Sequence, residues 1–314
     1  MKFEIRTTNS QVLRKSEPKG FTLIELLISM TITLVIVGLL MGMTKMAVGA
    51  WQASSAKVRS SGVAQEVFGS VGKDLEGVVV RTGNDYEWML VKDSGITGDD
   101  LGQGANKEMV NSLEVSFFSA VTDRYNGQIN TASDLGGDIS MVRYSLIHQD
   151  VITGINGADA KPVFALYRQR IDPDEVFNDL LAKTSLDGIK PSADIAMPEN
   201  FLAENVFDFT LSFNFEFTRT ASGVKEYRRV VVQSNGTQNE LSIKGDAVLV
   251  NGSVLTVSGA SSPRLASAEV SILVLSDKGM RSLKNKPISS DADFAKFLKQ
   301  NGIHYSKSVI LPQP

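Results

Sequence analysis

The longest apolar stretch of the chain lies near its N-terminus, from Phe21 to Thr44. These 24 residues contain one charged side chain, Glu25, and no proline. A soluble amphipathic helix would place polar residues on one face at every turn, and this stretch does not. As an α-helix it would be about 36 Å long. That length is sufficient to cross a hydrocarbon core of about 30 Å, so the pattern predicts a membrane-spanning helix.

An amphipathic helical pattern follows the apolar stretch. Four apolar residues recur at every fourth position and therefore share one helical face: Val63, Val67, Val71 and Leu75. The charged residues around them, Asp74 included, are expected to fall largely on other faces. We predict that residues 49–76 continue the membrane helix of residues 21–48 as a stalk helix, whose apolar face is covered by a folded head.

Strand-like alternation dominates residues 77–314. In Val206–Thr218, six apolar side chains alternate with polar ones, and we call them the phenylalanine comb: Phe207, Phe209, Leu211, Phe213, Phe215 and Phe217. A period of two predicts a strand with one buried and one solvated face. A binding platform is the alternative interpretation of the comb. Further strands are predicted at 78–81, 87–91, 113–119, 140–147, 162–171, 228–233, 247–257, 268–275 and 305–311.

Two short helices are predicted within the head. Asp172 supplies an N-cap, with Pro173 at the first helical position and an acid three residues after the cap. Phe177, Leu180 and Leu181 would face inward. A second helix is expected to begin after Ser290 and to end at Asn301-Gly302. Polar stretches at 93–107, 154–160 and 185–200 are interpreted as surface loops.

The charge of the chain is unevenly distributed. Residues 1–20 carry five basic and two acidic side chains, a formal charge of +3, so the net charge of -3 leaves -6 on the remainder. An acidic body argues against nucleic acid as a partner, because phosphate binding needs a clustered positive field. The basic segment is expected to stay cytoplasmic by the positive-inside rule. Because the sequence has no cysteine, disulfides and thiolate metal sites are excluded.

Residues 19–25, KGFTLIE, resemble the recognition motif of type IV prepilins and pseudopilins. The resemblance implies that a prepilin peptidase cleaves between Gly20 and Phe21, removing residues 1–20 as a leader. It also implies N-methylation of Phe21 and an assembly role for Glu25, the fifth residue of the mature chain. The partners it implies are the peptidase, other pilin or pseudopilin subunits and an inner-membrane assembly platform.

Elementary electrostatics agrees with this role of Glu25. A lone carboxylate in a membrane helix costs free energy, whereas the amine created at Phe21 of a neighbouring subunit would offset much of that cost. Major pilins usually carry proline at the mature twenty-second residue, and this chain has Gly42 there, with Gly38 one turn earlier. Glycine weakens a helix without breaking it, so Gly38 and Gly42 are predicted to form a soft hinge.

Two other interpretations explain the apolar segment less well. A secretory signal peptide would have an apolar region of about 7–15 residues, and this one is longer. A plain membrane anchor would leave the charge of Glu25 without a purpose. The prepilin-like interpretation accounts for both the length and the charge.

The sequence offers little catalytic chemistry. Its two histidines, His148 and His304, are far apart and form no helical metal-binding pair, and no nucleophile elbow occurs. Residues 102–107 only partly match a phosphate-binding loop. Calcium is the one cofactor for which the sequence offers candidate ligands, with Asp93, Asp99 and Asp100 or Asp134 and Asp138 as acidic groups, although none has the EF-hand spacing. We therefore expect no enzyme activity and assign no catalytic, cofactor or metal residue.

The predicted fold class is α+β, with a long N-terminal stalk helix packed on a large antiparallel β-rich head, residues 77–314. The order of the head segments is similar to that of the J-type pseudopilin of type II secretion and the W-type minor pilin. That resemblance implies a bacterial inner-membrane protein with one membrane span and a periplasmic head. In a filament it would be a minor subunit at or near the tip, and the alternative is a pilin-anchored ligand- or surface-binding module.

Overall fold

The computed structural model describes residues 20–96, 111–120, 138–152, 162–189, 191, 194–234, 237–285, 288 and 290–312. Residues 1–19 of the predicted leader, the acidic residues Asp99, Asp100 and Asp134 and the loop 102–107 lie outside this range. The chain divides into two compact units, Met1–Ser54 and Ser55–Pro314. The helix α1 belongs to both, and the remaining elements belong to the second.

The elements follow one another in this order: α1 (Leu23–Glu76), β1 (Glu87–Asp93), β2 (Leu113–Ser119), β3 (Ser140–Gln149), β4 (Val163–Ile171), α2 (Pro173–Glu175), β5 (Phe201–Glu204), β6 (Val206–Thr218), β7 (Lys225–Val231), β8 (Glu240–Lys244), β9 (Ala247–Val250), β10 (Ser253–Val254), β11 (Arg264–Leu275), α3 (Asp277–Asn285), α4 (Asp291–Asn301) and β12 (Gly302–Ile310). A π-helical turn, Val176–Leu180, continues α2, and a 3₁₀ turn, Pro198–Asn200, precedes β5. The α+β class and the long N-terminal helix are confirmed.

The second half of α1 has the predicted apolar face. Val67, Val71 and Leu75 are buried and Val63 is partly buried, all within the core of the head. Asp74 was expected on another face of this helix than the apolar residues, and it is fully buried. Its burial is possible because the head supplies charged and hydroxyl partners, described below.

The head contains two antiparallel sheets. One has eight strands in the order β10-β9-β8-β1-β2-β3-β4-β5, and the other has four in the order β12-β11-β6-β7. Side chains of the two sheets meet in one core, where the Phe164 and Phe207 rings lie 5.2 Å apart between centroids. All six residues of the phenylalanine comb are buried in this core. The comb is therefore a packing surface and not a binding platform.

Several predicted boundaries need correction. Residues 78–81 form no strand and contribute only an isolated bridge from Val78 to Ser119. The predicted strand 247–257 is the hairpin β9–β10, because Asn251 and Gly252 adopt positive φ angles of 48° and 72° and reverse the chain. Strands β5 and β8 and helix α3 were not predicted. Phe177 was expected to face inward and is 52% exposed, and it lies in the π-helical turn.

Local helix signals in the head were interpreted correctly. The Asp172 side chain accepts a hydrogen bond from the Asp174 N–H and caps α2. Ser290 likewise caps α4 through the Asp293 N–H, and this helix ends at Asn301. These caps depend on residues that are close in sequence, which is why they could be predicted.

Candidate processing and assembly site

The first turn of α1 is closed by a reciprocal pair of hydrogen bonds between Thr22 and Glu25. The Thr22 N–H donates to Glu25 Oε2 over 2.9 Å, and the Glu25 N–H donates to Thr22 Oγ1 over 3.3 Å. The Thr22 hydroxyl also donates to Glu25 Oε2 over 2.9 Å. The Thr22 carbonyl accepts the first helical hydrogen bond, from the Leu26 N–H. Together these contacts form a capping box.

The capping box gives Glu25 a role within its own chain. A carboxylate in the first turn satisfies backbone N–H groups that have no helical partner and interacts favourably with the helix dipole. The sequence signal for it, threonine followed three residues later by glutamate, is present in the chain, but this capping box was not predicted. Pairing of Glu25 with the amine of a neighbouring subunit stays a prediction.

The predicted scissile bond lies just before this helix start. Gly20 and Phe21 precede the first helical residue, and both are exposed, Phe21 by 85%. A Cβ atom added to Gly20 would meet nothing within 4 Å. The described part of the chain therefore leaves this peptide bond open on all sides, as a protease substrate requires.

The apolar segment is helical throughout and passes Gly38 and Gly42 without interruption. Its large apolar side chains are exposed, and α1 is long and apolar enough to cross a membrane. A Cβ atom at either glycine would meet nothing within 4 Å. Gly38 and Gly42 thus lie within a regular helix in this structure, and the predicted hinge at these two residues stays a prediction.

A buried cluster ties α1 to the eight-stranded sheet. Arg168 on β4 donates to both carboxylate oxygens of Asp74, from Nη2 to Oδ1 over 2.6 Å and from Nε to Oδ2 over 2.7 Å. The Tyr144 hydroxyl on β3 donates to the same carboxylate. Burial and the adjacent Asp74 charge raise the pKa of Tyr144 well above its ordinary value. The phenol therefore stays protonated and remains a donor.

A second, exposed contact joins the helix to the end of the same sheet. The Arg59 guanidinium forms ion pairs with Glu204, at the end of β5, and with Asp277, at the start of α3, the latter over 2.8 Å. Asn205 reinforces this point, because its side-chain amide donates to Asp277 over 3.1 Å. Neither Arg59 nor Asp74 could be assigned a role from sequence, since their partners are distant along the chain.

Residues 16–41 match the family model of the prokaryotic N-terminal methylation motif. This match supports a type IV prepilin-like protein. The motif and the apolar helix together indicate a membrane-anchored protein of the pilin type, and the motif implies processing by a prepilin peptidase and assembly with other pilins. Comparisons with curated proteins and with solved structures gave no match.

The remaining candidate residues do not converge on a site. His148 lies on β3 with its ring 4.6 Å from that of Phe164, whereas His304 is exposed on β12 in the other sheet. Among the described residues, no group of three or more His, Asp or Glu side chains is arranged to hold a metal ion. Asp93 accepts hydrogen bonds from Gly95 and Ser112. The calcium alternative is untested for the acidic residues outside the described range.

Proposed function

We propose that this prepilin-like protein is a minor pilin or pseudopilin subunit. A prepilin peptidase hydrolyses the Gly20–Phe21 bond, and the mature chain is N-methylated at Phe21. Its N-terminal helix then joins a type IV pilus or a type II secretion pseudopilus, at or near the tip, where it supports assembly. Its role is structural, and the work of assembly comes from an assembly ATPase outside this chain.

The observation that carries this proposal is the sequence from Gly20 to Glu25 at the start of an exposed apolar helix. The motif supplies the processing site, and the match of residues 16–41 to the N-terminal methylation motif supports it. The exposed apolar side chains of α1 need a bilayer or neighbouring helices around them, because water would leave them unfavourably hydrated. A filament provides such neighbours.

Two features favour a minor over a major subunit. The head is large, extending from residue 77 to the C-terminal end of the sequence, and Gly42 stands where major pilins usually have proline. The contacts of Asp74 and Arg59 fix the second half of α1 to this head. A force applied to the helix in a filament is thereby transmitted to the head without relying on a disulfide.

Intact-mass analysis of membrane-extracted protein tests the processing step. In cells with an active prepilin peptidase, the expected product begins with methylated Phe21, and in peptidase-deficient cells the precursor keeps residues 1–20. Gly20→Leu should block cleavage, whereas the matched control Gly38→Leu should be processed normally. Recovery of an intact leader from peptidase-competent cells would contradict the proposal.

Incorporation into sheared filaments tests the assembly step separately. Glu25→Ala should still be cleaved but should be at least about tenfold depleted in filaments, because the Phe21 amine loses its partner. Glu66→Ala removes an exposed acid farther along the same helix and should assemble like the wild type. A low ratio to the main subunit and end-localised immunogold label are expected of a tip component, and label along the whole shaft would exclude that placement.

A further inference from the structure

The C-terminal strand β12 forms one edge of the four-stranded sheet, and β11 is its one neighbour in the described part of the chain. The strand is nine residues long and pairs with β11 at every position from Gly302 to Ile310, without a register shift. Its outer side is therefore a long, regular row of backbone groups that no described strand uses. An edge of this kind can accept a further strand.

Hydrogen bonds around β12 show which of its backbone groups face outward. The Tyr305 carbonyl accepts a hydrogen bond from the Ser271 hydroxyl on β11 over 3.4 Å. The Leu311 N–H donates to the Ala266 carbonyl, also on β11, over 3.2 Å. Odd-numbered residues thus direct their backbone groups toward β11, and the direction alternates along an antiparallel strand. The outward N–H and C=O groups, which we call the open edge, belong to His304, Ser306, Ser308 and Ile310.

The other three sheet edges are protected against strand addition by short length, irregular register or charge. Strand β10 has two residues and β5 has four, and the pairing of β5 with β4 is interrupted between Leu166 and Tyr167. Strand β7 has seven residues, of which four are charged: Lys225, Glu226, Arg228 and Arg229. In β12, Lys307 stands alone among Lys, Arg, Asp and Glu, and there is no proline. The absence of such protection distinguishes β12 from the other described edges.

Helix α1 touches β12 without using the open edge. The Lys307 ammonium donates to the Phe68 carbonyl over 3.5 Å. A Cβ atom at Gly72 would lie 3.8 Å from the side chain of Val309. Both contacts come from side chains of odd-numbered residues. Gly69, between the two contact points on α1, is exposed, and a Cβ atom there would meet nothing within 4 Å. The described elements therefore leave the outward backbone groups accessible.

Lys307 gives this edge of the sheet a positive charge. Its side chain is exposed, and no carboxylate within the described ranges forms an ion pair with it. Opposite charges on neighbouring strands stabilise their pairing, and like charges weaken it. A second copy of β12 would bring another lysine and no acid to the edge. Charge therefore favours a strand of different sequence, with an acidic side chain beside Lys307.

From these observations we infer that β12 binds an extended, acid-bearing segment of another polypeptide, which adds a strand to the four-stranded sheet. Main-chain hydrogen bonds to the open edge hold the segment, as in other cases of strand addition. An acidic side chain of the segment pairs with Lys307. The open edge belongs to the folded head, so this binding goes beyond the proposed pilin role and does not depend on it.

Binding of synthetic peptides to the full-length protein in lipid nanodiscs tests this inference. The glutamate peptide alternates threonine with valine over about nine residues, the length of β12, and has glutamate at its centre. The lysine peptide has lysine there, and the proline peptide has two adjacent prolines, which remove N–H donors from both of its edges. The glutamate peptide should bind saturably, about two- to tenfold more tightly than the lysine peptide, and the proline peptide should not bind. No binding of the glutamate peptide, or equal binding of all three, would overturn the inference.

Residue-resolved hydrogen exchange locates the added strand. In the free protein, the amides of Ser306 and Ser308 should exchange quickly, whereas that of Lys307 should be protected by β11. The glutamate peptide should slow exchange at Ser306 and Ser308 by at least about tenfold. Protection of β7 or of another element, without protection of β12, would show that the peptide binds elsewhere.

A matched pair of variants tests the backbone contacts. Ser306→Pro removes an outward N–H and leaves the hydrogen bonds to β11 in place, a position where an edge strand tolerates proline. It should weaken binding of the glutamate peptide by at least about tenfold. Ser306→Ala keeps the N–H and should bind within about twofold of the wild type. Unchanged binding by Ser306→Pro, with normal thermal stability, would contradict strand addition at β12.

Reversal of the edge charge gives a test that does not need Ser306→Pro to fold. In Lys307→Glu the preference should reverse, so that the lysine peptide binds more tightly than the glutamate peptide. The same preference in Lys307→Glu as in the wild type would overturn the inference. Wild-type dimers that bind no peptide and dissociate in Ser306→Pro would overturn it as well, because the edge would then serve a second copy.

Discussion

The Arg168 guanidinium contacts both oxygens of the Asp74 carboxylate, over 2.6 and 2.7 Å, and so joins strand β4 to the last turn of α1. Asp74 has no exposed surface, while the Arg168 side chain retains 21% exposure. Two parallel N–H···O bonds fix angle as well as distance. The pair therefore determines which turn of the helix lies on the sheet.

Removal of the Asp74 carboxylate should destabilise the head by about 3–5 kcal/mol, because it leaves Arg168 without its buried counter-ion. Urea unfolding of Asp74→Ala in mild detergent, followed by tryptophan fluorescence, measures this loss. Glu76→Ala removes an exposed acid two residues away and should change stability little. A loss of the same size in Glu76→Ala would mean that helix propensity, not the ion pair, is responsible.

Thr22→Val should loosen the first turn of α1 by about 1 kcal/mol, since valine cannot accept the hydrogen bond of an N-cap residue. Hydrogen exchange of the amides at the start of the helix should become several-fold faster in nanodiscs. Thr44→Val is the matched control, because the Thr44 hydroxyl donates only to the Leu40 carbonyl within the helix. Unchanged exchange in Thr22→Val would show that the capping box does not stabilise the membrane-embedded helix.

Gly245→Ala should be much more destabilising than Gly223→Ala. Both glycines have positive φ angles, 54° and 67°, but only at Gly245 would a Cβ atom lie 1.8 Å from the Asn84 carbonyl oxygen. Gly223→Ala should cost about 1 kcal/mol for its backbone conformation alone. Gly245→Ala should lose about 2 kcal/mol more, because a backbone group must move. Comparable urea midpoints for the two variants would contradict this prediction.

Asp208→Asn should stabilise the head at neutral pH. Burial raises the pKa of Asp208, although the hydrogen bond from Thr210 and the charge of His304 act in the opposite direction. The pKa of Asp208 is therefore higher in the folded state than in the unfolded state. As pH rises through the interval between these two pKa values, ionisation of Asp208 lowers the stability of the head. The variant should melt about 2 °C higher at pH 7. At pH 3, where the acid is protonated in both states, the difference should vanish, and a constant difference at both pH values would contradict the cause.

Local periodicity explains what could be predicted from the sequence. The continuous helix through Glu76 and the strand Val206–Thr218 follow from regular apolar spacing, and the cap at Ser290 depends on its immediate neighbours. The burial of Asp74 could not be predicted, because its partner Arg168 lies 94 residues away. Strand β8 is only five residues long, too short to give a clear period of two.

The residues of the processing and assembly site were predicted from a sequence motif and not from periodicity. Gly20, Phe21 and Glu25 form a short contiguous motif, so no tertiary structure was needed to find them. The hydrogen bonds between Thr22 and Glu25 are equally local but were not predicted, because Glu25 was interpreted through the helix dipole and a partner in another subunit, not through Thr22.

The contact between β12 and α1 constrains the order in which the protein can fold. Lys307 donates to the Phe68 carbonyl over 3.5 Å across 239 residues, and a Cβ atom at Gly72 would lie 3.8 Å from Val309. Helix α1 is synthesised long before β12, because β12 is the last strand of the head along the chain. The part of the helix surface that β12 contacts therefore stays uncovered until the C-terminal strand has been made. Completion of the chain is thus the step that closes the head around its own helix.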